Sequence, residues 1–433
     1  MSGMQQSAAE ADLIARAARV LPAGGFGNFP PDIVIAEGRA GRVKDVSGNE
    51  YVDYLIGSGP MFVGHAHPEV LLAVENQLAR GSTFFASNPA GIELAEAICG
   101  AVACADKVRF VSSGSEADAY AMRLVRAHRG RELILKFEGG YHGMSDSALM
   151  SLAPKQLANF PQAVPDSAGI PQGVRDAILV APFNDIETAR ALIAAHEDDL
   201  AGVIVEPLQR QIPPVDGFLQ ALREETATRN IPLIFDEVVT GFRFAYGGAQ
   251  EHYGVVPDLC TLGKIIGGGF PLAAIAGSEE IMAHFDPEAA GPDGFTLQIG
   301  TLSGNPIAAV AGHATLEILR RPGMYERVNE TGRAIMQALE ENFARVGISA
   351  AVVGHPTMFD VVFGDLDVRN YRDVIAGDPD LPRRFTRLLR QRGVLKSDNK
   401  FYISCAHDAD DLAQTLEAIA EAAPILAAEQ QGR

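Results

Sequence analysis

Apolar and polar positions along the chain fall into three successive patterns. Residues 9–21 place apolar side chains at helical spacing, and beyond them VIAEGRAGRVKDVSGNEYVDYL alternates apolar and polar residues around a Ser-Gly-Asn turn. That predicts an amphipathic helix followed by a small antiparallel hairpin. From about residue 68, helical segments (PEVLLAVENQLARG, GIELAEAICGAV) alternate with short apolar runs: KVRFVSS, LILKF, AGVIVEP, PLIFDEV, DLCTLGK and LAAIAG. Strands without polar alternation are covered on both faces, so this region predicts an α/β domain with a mostly parallel sheet. It ends near residue 318. Long helical patterns over 324–346, 379–392 and 410–426 then accompany ISAAVVG, TMFDVVFGD and KFYISCA, as in a separate α+β domain. The expected division is therefore 1–58 as an N-terminal helix and hairpin segment, 59–318 as a large domain and 319–433 as a C-terminal small domain. The Pro-rich stretch 144–180 is too irregular for a helix pair and suits a lid or an interface arm.

Composition narrows the function classes. With 433 residues, 47% hydrophobic and 21% charged, the chain has the makings of a large globular core, not of a disordered or fibrous protein. Its formal charge is 36 − 55 = −19, which repels phosphodiester backbones and anionic lipid, and no concentrated basic patch offsets it. Small-molecule chemistry is the expectation, with neither nucleic acid nor membrane as partner. Cys99, Cys104, Cys260 and Cys405 lie scattered in apolar contexts, as reduced buried thiols do. The N-terminus carries acids and arginines where a signal peptide needs an apolar run, so a cytoplasmic location is expected.

Four constellations could carry chemistry. In RFVSSGSEADAY an apolar strand stops at Ser112-Ser113-Gly114-Ser115 and a helix begins at once. Unpaired N–H groups and a partial positive charge at a helix N-terminus suit a phosphate, although an ordinary N-cap with Glu116 in the first turn reads the same way. In FEGGYHGMSD, Tyr141 and His142 follow a strand between glycines that permit close backbone approach, and the aromatic could stack on a planar ligand or pack in the core. In PLIFDEVVTGFR an apolar strand delivers Asp236 and Glu237. A buried unpaired carboxylate is costly, so Asp236 is expected to face a positive partner; Glu237 reads as a surface acid, and no third ligand at metal spacing accompanies the pair. In PDLCTLGKIIGGG, Lys264 ends an apolar strand of a chain with seven lysines against 29 arginines. That context suits an amine nucleophile or base, against a snorkelling structural lysine, and Ile265 after the Gly-Lys pair excludes a Walker A loop. His65 and His67 lack further ligands and read as structural; no metal is expected.

A phosphate cradle, an aromatic, a carboxylate and an isolated lysine at strand ends match the needs of pyridoxal phosphate. The order SSGSEA, GGYHG, VEP, FDEVVTGFR, TLGKIIGGG and GTLSGNP resembles the class III, fold-type I pyridoxal-phosphate aminotransferases, and most closely the glutamate-1-semialdehyde aminomutase branch, strongly over residues 40–320. The resemblance implies a large domain with a mostly parallel seven-stranded sheet, a small α+β domain built from both chain ends, and a homodimer with shared sites. Carried over by position, it implies that Lys264 condenses with the cofactor aldehyde and later moves a proton. Asp236 would pair with the ring nitrogen, Tyr141 and Val238 would cover the two ring faces, and Ser113, Gly114 and Ser115 would hold the phosphate, with His142 beside them. Thr301 would reach the phosphate of the neighbouring subunit, and Gln211 would lie near the cofactor's phenolic oxygen or in the substrate pocket.

Three segments depart from the aminomutase pattern. GGFGNFPPDIVI stands where the mutases carry a Ser-Pro-Val-Arg run, SLAPKQLANFPQ where they carry a Gly-Ser-Gly gating loop, and EPLQRQ where Ala-Gly-Asn follows the EPV. These are substrate-handling parts. They favour transfer from an amine or a β- or ω-amino acid to a keto acid over intramolecular mutation. A keto acid needs a cation near the site, for which Arg210, Arg243, Lys396 and Lys400 are candidates.

Overall fold

In the computed structural model, which describes residues 6–431, the N-terminal amphipathic segment is a helix over Ala8–Val20. Ser7 caps it, its side chain accepting from the Glu10 amide. The alternating segment that follows makes three antiparallel strands, β1 (Ile35–Arg39), β2 (Arg42–Asp45) and β3 (Glu50–Asp53). The Ser-Gly-Asn turn joins β2 to β3, where the Asp45 carboxylate accepts from the Asn49 amide at 2.8 Å and the Tyr51 hydroxyl at 2.9 Å.

The central region forms one seven-stranded sheet from β4 (Lys107–Val111), β5 (Leu133–Phe137), β6 (Ile178–Ala181), β7 (Leu200–Val205), β8 (Leu233–Glu237), β9 (Leu259–Leu262) and β10 (Ala273–Gly277), in the order β4-β10-β9-β8-β7-β5-β6. Only β10 runs against its neighbours β4 and β9. The other six are parallel, so their carboxyl ends share one edge, where doubly wound sheets place ligands. β6 was not among the runs singled out in the sequence: its four residues follow the long Pro-rich stretch and carry no flanking alternation. The helix Gly114–Arg129 lays Ala117, Ala121, Met122, Leu124 and Val125 on the core. Each large apolar side chain so buried contributes about 1.5–3 kcal/mol. The approach is close enough that a Cβ added at Gly202 of β7 would lie 2.9 Å from Val125, so only glycine fits.

The C-terminal region adds β11 (Ala350–His355), β12 (Met358–Phe363), β13 (Val394–Leu395) and β14 (Phe401–Tyr402). β13 runs parallel beside β3, and β11, β12 and β14 make a three-stranded sheet. Phe343 of the helix Met324–Val346 meets Phe363 and Phe385 edge-on, at 5.3 and 5.2 Å between ring centres. Two compact units result. One comprises residues up to Pro68 with Gly323–Asp367 and Ile375–Arg433; the other is Glu69–Pro322 with the short segment Val368–Val374. Among the described residues no helix is long and apolar enough to cross a membrane.

Candidate active site

Five of the parallel strands of the large sheet end in the residues singled out above. After β4, Ser113 caps the helix Gly114–Arg129, its hydroxyl accepting from the Glu116 amide at 3.3 Å while Glu116 accepts from the Ser112 amide at 2.9 Å. This reciprocal capping box coexists with a cradle geometry. Ser115 Oγ accepts from the Met144 amide at 3.2 Å, and a Cβ at Gly143 (φ +85°) would lie 2.5 Å from Ser115 Cα. The Tyr141-His142-Gly143 turn after β5 is thus pressed against the helix N-terminus, and Gly143 is required both by its positive φ and by that contact.

The centre is electrostatic. His142 and Asp236 are buried, with Nδ1 of the imidazole 2.8 Å from Oδ2 of the carboxylate. Oδ1 of Asp236 accepts from the Val238 amide at 3.1 Å. Nε2 of His142 has no hydrogen-bond partner among the described residues. A buried carboxylate held by one imidazole and one backbone amide retains the capacity for an external cation. Val238 sits between two glycines: a Cβ at Gly114 would lie 2.8 Å from its Cγ1 and one at Gly263 3.1 Å. Gly263 precedes Lys264, which adopts φ +49° directly after β9, and β8 and β9 are in register with Asp236 opposite Thr261. Left-handed backbone at a non-glycine residue costs of order 1–3 kcal/mol and is held by its surroundings. Lys264, Val238, Asp236, His142 and the Ser113–Ser115 cradle therefore converge at one sheet edge, and the set fits an anionic group at the helix terminus, a cationic ring nitrogen at Asp236 and an aldehyde at Lys264.

Asp118 was not singled out in the sequence. One turn into the cradle helix, it is buried and accepts from Thr261 Oγ1 at 2.6 Å, a hydroxyl that also lies 3.5 Å from Asp236 Oδ1. Burial, reinforced by the charge of Asp236, pushes its carboxyl well above the usual carboxylate range, while Lys264 opposes that rise. Its signal was an acid on the apolar stripe Ala117, Ala121, Met122. Glu206, after β7, accepts from the Tyr141 amide at 2.8 Å and fixes that turn. Beneath it, buried Lys136 donates to the carbonyls of Gly140, Ala148 and Met150, and burial pushes its ammonium down to about 7.

Glu237 corrects the surface-acid expectation. It is buried and accepts from the amides of Ala249 and Gln250 and from the Thr240 hydroxyl, tying the turn after β8 to the helix Gly248–Tyr253. Tyr141 is half-buried, with the Arg210 guanidinium 5.0 Å over its ring. Gln211 is buried in the same turn as Arg210. Arg243 is fully buried with Nε on the Val239 carbonyl at 2.8 Å, a position that favours Arg210 as the accessible cation. Lys396 is engaged elsewhere, 3.2 Å from Asp360 in a buried pair, and Lys400 Nζ lies 3.5 Å from the Tyr402 hydroxyl. His65 pairs with Asp53 at 2.8 Å. Thr301 is exposed.

The family model for class-III aminotransferases matches residues 26–422. A glutamate-1-semialdehyde 2,1-aminomutase of Methanothermobacter thermautotrophicus is 41% identical over 420 residues, covering 95% of this chain and 97% of its own. Among solved structures, an omega-transaminase from Sphaerobacter thermophilus is 35% identical, with a TM-score of 0.89 over 97% of this chain and 98% of its own. A transaminase with bound pyridoxal phosphate (PLP) is 28% identical, with a TM-score of 0.88 over 99% of this chain and all of its own.

Proposed function

Because the chain belongs to the class-III aminotransferase family, whose fold-type I enzymes use pyridoxal phosphate, we propose that it moves an amino group from an amine or a β- or ω-amino acid to a keto acid. The observation that carries this reading is the buried Asp236–His142 pair beside Lys264, together with the partly exposed Arg210 on the substrate side. When bound, the cofactor supplies an electron-accepting ring conjugated to the substrate's amino carbon. Asp236 would keep the ring nitrogen protonated, His142 holding the carboxylate in orientation through Nδ1. Val238 and Tyr141 would hold the ring between them, and the helix N-terminus with Ser113, Gly114 and Ser115 would bind the phosphate. Lys264, once released by an incoming amine, would take the proton from the substrate Cα and deliver it to the cofactor's aldehyde carbon, across the intervening nitrogen.

A second reading, intramolecular amino transfer as in glutamate-1-semialdehyde aminomutase, is favoured by the name of the 41% identical relative. The three substrate-side departures, GGFGNFPPDIVI, SLAPKQLANFPQ and EPLQRQ, support transfer between two molecules. A two-substrate assay separates them: under the first reading the cofactor band changes with an amine donor and full turnover requires an added keto acid. Turnover of glutamate-1-semialdehyde without a second substrate would establish the mutase instead.

The proposed assembly is a homodimer in which Thr301 serves the neighbouring site. Leu297, Ile299 and Leu302 around Thr301 are 61%, 68% and 48% exposed, and Phe85, at 71%, lines one groove with Ile299. Such an apolar patch on a chain of charge −19 supports burial against a second copy. Light scattering of the cofactor-loaded protein tests it, with twice the chain mass expected.

A further inference from the structure

The turn after β7 carries a cation whose donors the protein itself uses only in part. Gln209 and Ile212 exchange backbone hydrogen bonds at 3.0 and 2.8 Å, leaving Arg210 and Gln211 at the tip of a tight two-residue turn. Arg210 adopts φ +62°, a conformation an arginine does not choose without constraint. Its Nε donates to the Gly139 carbonyl at 3.2 Å, which lays the guanidinium plane on the Tyr141 ring. The remaining guanidinium nitrogens have no acidic side chain within ion-pair reach among the described residues, in a chain with 55 acids to 36 bases. The neighbouring Arg372 behaves differently: it grips the Glu138 carboxylate with two bonds of 2.7 and 3.1 Å. That ion pair, and Tyr371 packed against Gly139, fix the carbonyl on which Arg210 rests. Gln211, beside Arg210 at the tip of the turn, is only 7% exposed.

We infer that the turn Gln209–Ile212 is the substrate-carboxylate anchor of this enzyme, with Arg210 binding the anion in a fork. The assignment rests on the site proposed above and deepens it: a substrate of this enzyme carries a carboxylate within reach of Tyr141, whether as keto acid or as amino acid. Nε is committed to Gly139, so the two terminal nitrogens remain for a planar carboxylate, an arrangement lysine cannot reproduce. Stacking on Tyr141 removes freedom from the guanidinium before the anion arrives.

The test uses the cofactor-loaded protein and Arg210→Asn, since asparagine tolerates the left-handed backbone and removes the cation together with its contacts to Gly139 and Tyr141. The KM for 2-oxoglutarate or pyruvate is expected to rise on the order of 10- to 100-fold, as for loss of a charged hydrogen-bonding partner. The KM for benzaldehyde, an acceptor without a carboxylate, is expected to stay within about twofold, and the bound-cofactor absorbance and melting temperature to be unchanged. Arg210→Lys should fall between. Succinate binding by calorimetry gives a readout independent of turnover: the native protein binds it and Arg210→Asn loses it. Equal KM changes for charged and neutral acceptors, or succinate binding unaltered in the variant, would overturn the assignment. Native protein that binds succinate through Arg210 but whose cofactor band responds to no amine would instead refute the proposed reaction and leave the anchor standing.

Discussion

Asp236→Asn separates charge from packing at the centre of the site. The carboxylate is 4% exposed and is held by His142 Nδ1 at 2.8 Å and the Val238 amide at 3.1 Å. Asparagine keeps the size, and its Oδ1 can still accept from Val238. What disappears is the negative charge that would face the ring nitrogen. Breaking one side of a buried ion pair costs about 3–5 kcal/mol, which at 1.36 kcal/mol per decade is roughly a 10²- to 10⁴-fold loss in turnover. The fold should tolerate the change, because Asp118, 2% exposed and feeling the charge of Asp236, is relieved of a like neighbour. The assay is single-turnover decay of the cofactor band with an amine donor, alongside urea denaturation of the cofactor-free protein. A variant within threefold of native turnover would refute the ring-nitrogen role, and a collapse in stability without a specific loss of rate would make Asp236 a structural acid.

Asp118→Asn probes the second buried acid through pH. Its folded-state carboxyl titrates above the ordinary value of 3.8, so the folded chain holds a proton that the unfolded chain releases; native stability is full below about that value and declines as pH rises through the folded one. The variant, which cannot titrate there and keeps an acceptor for Thr261, should therefore gain stability relative to native protein as pH rises above 3.8 in urea titrations; a pH-independent difference contradicts the assignment. Gly143→Ala combines a positive φ of 85° with a Cβ 2.5 Å from Ser115 Cα. It should cost about 2–5 kcal/mol, the sum of left-handed backbone and overpacking, and weaken cofactor binding by displacing the cradle; unchanged melting and cofactor affinity would show that the turn does not bear on Ser115.

The sheet was legible because its strands are buried on both faces and so read as unbroken apolar runs; residues such as Val203, Ile234 and Phe235 leave no other interpretation. β6 and β13 escaped for a physical reason: runs of four and two residues carry too little periodicity to distinguish a strand from a turn. Lys264 and Asp236 stand out by type, one of seven lysines and an acid at the end of an apolar strand. Asp118 did not, since its neighbourhood exists only once β9 brings Thr261 against the cradle helix. Glu237 was misjudged because its solvent is replaced by amides of a helix that begins eleven residues later, a long-range fact invisible in local pattern. The unpaired state of Arg210 likewise depends on Gly139 and Tyr141, some 70 residues away along the chain.

One amine, that of Lys264, is expected to hold the cofactor. Cofactor-loaded protein reduced with borohydride, digested and mapped by mass spectrometry should carry a stable pyridoxyl adduct on the peptide containing Lys264. An adduct on any of the other six lysines, or none on a protein that still binds the cofactor, would contradict it.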